Sequence, residues 1–177
     1  MTKNNSHRSK PLNQARPRIK IPITPMEFIL ELISLLGLLG AAYVLIKFWP
    51  DLPDEIPKHF GFTGEADAWG DPSSLYILLG VNFLMYIMLT IIRRFPHTFN
   101  YPVQINENNA FRQYQLAVVY ISLLKAQVVW LFAYLQWQMI QVALGNSTGL
   151  GAWFIVVVLL AFLLPILIYA GIARRTG

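Results

Sequence analysis

Cysteine is absent from the 177-residue sequence. That excludes a disulfide-stapled scaffold, a thiolate nucleophile and any zinc or iron–sulfur site built on sulfur. Charge is scarce as well: Asp, Glu, Lys and Arg make up 13% of the residues, about half of the ~25% carried by an ordinary soluble domain. So few charges argue against a soluble enzyme, and the apolar content excludes a disordered chain. The three histidines, His7, His59 and His97, do not cluster, and neither a Ser–His–Asp arrangement nor a Gly-rich phosphate loop occurs. The chain is therefore expected to be non-enzymatic, with no catalytic residue, no cofactor and no metal site.

What is abundant is apolar. Hydrophobic residues account for 55% of the chain and mean hydropathy is +0.48. They fall in four runs: Phe28–Ile46 (one charge, Glu31), Leu75–Ile92 (none), Leu116–Leu135 (one, Lys125) and Ala152–Ala173 (none). At about 1.5 Å per residue, ~20 helical residues cross the ~30 Å hydrocarbon layer, and each run has about that length. Helices of soluble proteins keep a polar face at 3.6-residue spacing, which the second and fourth runs lack. The expected fold is all-α, a polytopic membrane protein with four transmembrane helices near residues 26–48, 72–94, 107–144 and 151–173. An ordered extracytoplasmic loop, 49–71, joins the first two, and residues 1–25 form a basic, disordered cytoplasmic arm.

Basic residues set the expected orientation. Lys3, Arg8, Lys10, Arg16, Arg18 and Lys20 precede the first helix; Arg93, Arg94 and Arg112 lie between the second and third; Arg174 and Arg175 follow the fourth. The 49–71 loop opposes Lys58 with Asp51, Asp54, Glu55, Glu65, Asp67 and Asp71. The positive-inside rule then places both termini of a multi-pass protein on the cytoplasmic side of its membrane. The first run is too long for a signal-peptide core, so it is expected to stay uncleaved. The arm has no aromatic residue among its cations, so anionic lipid is the expected partner and nucleic acid is not.

Local chemistry marks several helix ends. Thr24-Pro25-Met26-Glu27 has the form of a capping box with Pro at the first helical position. Asp71-Pro72 is expected to repeat the device, and Asn106–Asn109 to start the third helix. Gly145–Gly149 reads as a tight turn, and Pro165 is expected to kink the fourth helix. Within the membrane, Glu31 falls in a stripe with Glu27, Ser34, Gly37 and Ala41. Lys125 falls in one with Ser122, Ala126, Ala133 and Gln136. Small and polar stripes of this kind mark helix–helix contact in a bilayer. The two stripes are expected to meet, with Glu31 pairing Lys125 as a neutralised structural pair; a proton or ion relay is the alternative.

The loop is rich in Pro and Gly, so turns and extended pieces are expected. It is too short for its own core, yet Leu52, Ile56, Phe60, Phe62 and Trp69 let it fold onto the helix ends. His59 is expected to hydrogen-bond a loop carbonyl or carboxylate and fix the turn, the alternatives being a metal ligand or a pH-sensing contact. Leu52-Pro53, Ile56-Pro57, His59-Phe60, Gly64, Asp67, Trp69 and Gly70, followed at once by a membrane helix, resemble the domain of unknown function 1648 family. That domain is also the N-terminal part of SdpI-type bacterial immunity proteins. Asp71-Pro72 departs from the family pattern, where a basic residue follows the last glycine. The resemblance implies a non-enzymatic bacterial protein of the cytoplasmic membrane. For the SdpI type it implies immunity to a toxin peptide and signalling by capture of a cytosolic repressor.

The expected function is recognition: the outer loop meets an extracytoplasmic peptide or protein, and the basic inner face meets a cytosolic protein. The alternative is a small transporter or channel subunit whose polar path runs through Glu31, Lys125 and Gln136. The absence of native cysteine makes the topology directly testable. Single cysteines at positions 54 and 93 should react with an impermeant maleimide from opposite sides of the membrane; labelling from one side would overturn the assigned topology.

Overall fold

The structure, a computed structural model, describes residues 16–177; most of the basic arm expected from the sequence, residues 1–15, lies outside the described residues. The element order is α1 (Pro25–Phe48), β1 (Ile56–Phe60), β2 (Ala66–Gly70), α2 (Ser74–Ile92), α3 (Ala110–Ala143) and α4 (Phe154–Arg175). All four helices are long and apolar enough to cross a membrane. The chain is a multi-pass membrane protein.

Burial differs from that of a soluble bundle: polar and small residues share the interior with apolar ones, and many large apolar side chains face outward. The inward face of α1 is Glu27, Leu30, Ser34, Gly37, Leu38, Ala41 and Leu45, whereas Leu36, Leu39 and Ile46 are exposed. Lipid tails solvate leucine as well as another leucine does, so small residues and hydrogen bonds, rather than apolar area, select the interfaces. The centre of the molecule is α3. At 34 residues it measures about 51 Å, and it packs against α1, α2, α4 and β1. Ala173 is the one buried residue of α4; the rest of that helix presents an apolar surface suited to lipid.

Side chains of α3 hold its neighbours by their backbones. Gln136 Nε2 donates to the Ala41 carbonyl at 2.7 Å and Trp130 Nε1 to that of Ile33 at 3.0 Å, both on α1. Gln113 Nε2 reaches the Ala173 carbonyl at 2.9 Å, near the C-terminus of α4, where carbonyls lack helical partners. Gln127 Nε2 donates to the Ala161 carbonyl at 2.6 Å. That carbonyl lies four residues before Pro165, which has no N–H to give it. Helix α4 runs unbroken through Pro165, and the carbonyl that the proline leaves without its N–H partner is bonded by a side chain from α3.

Helix ends follow the chemistry of the sequence with one correction. The Thr24 hydroxyl and the Glu27 side chain form a reciprocal capping box on α1, and Asn106 Oδ1 accepts the backbone N–H groups of Asn108 and Asn109 just before α3. Asn146 N–H bonds the Gln141 carbonyl and Gly145 N–H that of Val142, with Gly145 at φ 73°, a Schellman ending for α3. Asp71 does not cap α2 directly. Its carboxylate accepts the Ser73 N–H at 2.7 Å, and a turn through Pro72 and Ser73 delays the helix to Ser74. Hydrogen bonding from Ser73 holds the Asp71 carboxyl below the ordinary carboxylate range.

The loop between α1 and α2 is a two-stranded antiparallel hairpin, an ordered β element in an otherwise helical fold. Ile56 pairs with Gly70, Pro57 with Trp69, His59 with Ala68 and Phe60 with Ala66, with register shifts on either side of His59. Its base is sunk into a core of Leu45, Ile56, Leu75, Met139 and Ile140. Its tip is tied to the α3–α4 connection: Leu150 N–H donates to the Gly64 carbonyl at 2.8 Å, and Glu65 forms a bridge with Gly149. Each of these two contacts has a glycine on one side for steric reasons. Gly64 has φ 84°, and a Cβ on Gly149 (φ 154°) would overlap the Gly64 carbonyl oxygen. Gly149→Ala should therefore cost about 2 kcal/mol or more. In detergent it should lower the thermal midpoint by about 4–8 °C, whereas Gly145→Ala, whose Cβ meets nothing within 4 Å, should cost less.

Candidate functional site

Two sites stand out, one at each end of the bundle. The first begins with the capping box of α1. Glu27, 3% exposed, uses one carboxylate oxygen on Thr24 and the other on Arg93 Nε at 2.6 Å, at the end of α2. One turn further along α1, Glu31 accepts the Tyr86 hydroxyl at 2.5 Å and the Lys125 ammonium of α3. Lys125 is 3% exposed at its side chain and Glu31 39%. The ammonium also donates to Thr90 Oγ1 at 3.0 Å and lies 4.9 Å from the Tyr86 ring centroid, within cation–π range.

Two acids and two bases thus tie α1, α2 and α3 together with no net charge. Helical spacing explains the convergence. Glu27 and Glu31 are four apart, and Tyr86, Thr90 and Arg93 are four and three apart, so each set lies on one face. Lys125 alone would carry a penalty of ~3 kcal/mol near the bilayer centre. With a carboxylate, a hydroxyl and an aromatic face around it, most of its lost hydration is replaced.

The structure places Glu31 and Lys125 in contact, but not Gln136. That residue lies 11 positions beyond Lys125 on α3, about 16 Å by helical rise, and is bonded to Ala41. A polar path through all three is therefore not assembled. Glu27 shares the stripe read for Glu31 from the sequence, whereas Tyr86, Thr90 and Arg93 were not singled out as members of the network; their i, i+4, i+7 spacing through the end of α2 was the available signal.

The second site is the hairpin. Leu52 and Phe60 pack on the core that buries Ile56, and Pro57 is fully buried. Pro53 is exposed. His59 Nδ1 and Asp67 Oδ1 lie 2.6 Å apart across the strands, both side chains being more than half exposed. Gly70 carries the aliphatic part of Lys58 over its Cα, where a Cβ would collide. Trp69 is half exposed, and Phe62 at the tip is 97% exposed. Among the described residues no group of three or more His, Asp or Glu side chains is placed to hold a metal ion.

The network makes a sharp energetic prediction. Glu31→Gln and Lys125→Gln should each destabilise by about 3 kcal/mol, since each leaves a charge without its partner. The double variant should lose less than the sum, with a coupling of about 1–3 kcal/mol in a double-mutant cycle measured by denaturant unfolding in micelles. Strict additivity would refute the pair.

No curated protein and no solved structure matches the chain. Residues 35–85, from the middle of α1 through the hairpin to the middle of α2, match the family model described as Domain of unknown function (DUF1648).

Proposed function

We propose that the protein is a non-enzymatic recognition protein of the cytoplasmic membrane, with both termini inside and the hairpin outside. In this role the hairpin binds an extracytoplasmic peptide or protein, and the basic opposite end engages a cytosolic protein, in the manner of SdpI-type immunity and signalling. One observation carries the reading. The hairpin is fixed at its base and its tip, yet it holds the Phe62 ring almost wholly in the open and Trp69 half so. A rigid element bearing exposed aromatics has the composition of a binding surface, since aromatic side chains give large contact area at small entropic cost. The surrounding carboxylates, Asp51, Asp54, Glu55, Glu65, Asp67 and Asp71, favour a partner that carries positive charge beside its apolar groups.

The transporter reading, working through Glu31 and Lys125, has weaker support. Both head groups are engaged by fixed partners, and Gln136 stands apart from them.

A photoreactive phenylalanine analogue at position 62 should give a discrete adduct with a peptide or protein in native membranes. The same analogue at Ile77, an exposed position on α2, should react with lipid alone. Adding Trp69→Ala should weaken the adduct at position 62 by about tenfold, the usual effect of removing an aromatic anchor. Lipid adducts alone at both positions would overturn the recognition reading, as would proteoliposomes whose ion flux is lost in Lys125→Met.

A further inference from the structure

At the basic end of the bundle, the chain entering α1 folds beside the chain leaving α2. Ile19, Lys20 and Ile21 from the first segment and Arg93, Arg94 and Pro96 from the second line a cavity of about 310 Å³. That is about ten times the ~30 Å³ a water molecule occupies in the liquid, enough for a phosphate group with its attached glycerol. Three of the six lining residues are cations. Glu27 neutralises Arg93 through Nε, but Arg93 Nη2 is buried without a hydrogen-bond partner. A buried donor in that state lacks the acceptor that would offset its desolvation. Lys20 and Arg94 are exposed and form no ion pair among the described residues.

We propose that this pocket binds the phosphodiester of an anionic phospholipid, with Arg93, Arg94 and Lys20 as its donors. The position fits, because α1 starts at Pro25 and α2 ends at Ile92, so the pocket sits at the level of the head groups. The flanks fit too. Ile19, Ile23, Met26 and Phe95 are exposed around it in the chain, apolar side chains that suit acyl tails and that a free phosphate ion would not use. Basic pockets between helix ends are the geometry in which membrane proteins select anionic head groups, and guanidinium groups match phosphate oxygens in bidentate fashion.

The test is native mass spectrometry of the full chain in detergent, titrated with phosphatidylglycerol, phosphatidylcholine or inorganic phosphate. Phosphatidylglycerol should bind with one tight site, at least about tenfold stronger than phosphatidylcholine. The Lys20→Gln/Arg94→Gln variant should weaken that site about tenfold or more. Arg93 is left intact so that Glu27 keeps its partner, and an unchanged thermal midpoint confirms folding. Arg174→Gln/Arg175→Gln removes the same charge from the same end outside the pocket and should weaken binding less than about threefold. Equal losses in the two variants would overturn the pocket in favour of diffuse attraction. Displacement of bound phosphatidylglycerol by an equal concentration of inorganic phosphate would overturn the lipid as its occupant.

Discussion

Inside a bilayer no water is at hand to satisfy a polar group, and each one left unpaired costs several kcal/mol. The fold depends on that constraint. Helix α3 meets it by turning its own polar side chains onto its neighbours: Gln136 and Trp130 reach carbonyls of α1, while Gln127 and Gln113 reach carbonyls of α4. Lys125 draws Glu31 and Thr90 onto it. Apolar area contributes little between such helices, so these bonds decide which helix lies where. The arrangement around Pro165 states the rule most simply. A missing N–H in one helix is matched by an amide donor on the next.

The two ends of the bundle are built on different physics. At the basic end the helices are joined by charge, with Glu27, Arg93, Glu31 and Lys125 forming a neutral set within a cationic surrounding. At the hairpin end they are joined by packing, with Ile56 sunk among Leu45, Leu75, Met139 and Ile140. The hairpin has no core of its own and borrows that of α1, α2 and α3. Its tip then grips the α3–α4 connection by backbone contacts that only glycine permits at positions 64 and 149. The hairpin therefore links sequence-distant helices, and the exposure of Phe62 is imposed by the scaffold rather than left to a loose loop.

Much of this was legible in the chain. Four apolar runs of bilayer length announce four helices, the Thr24–Glu27 spacing announces the first cap, and the polar stripes of α1 and α3 point Glu31 toward Lys125. The pairing of 56–60 with 66–70 was not legible. Alternation is broken by register shifts around His59, so the period-two signal of a strand is lost. The delayed start of α2 escaped for a related reason. Asp-Pro has the composition of a helix cap, but whether the carboxylate caps a helix or a preceding turn depends on backbone angles that neighbouring contacts set.

Membership of a helix in the bilayer is a local property, the sum of transfer free energies along about 20 residues, and the sequence by itself determined it. Which carbonyl Gln127 or Gln136 satisfies, where Arg93 finds Glu27, and why Gly149 must lie against Gly64 were decided only by the tertiary structure. Those contacts join residues tens of positions apart, and their energy exists only once the helices have met.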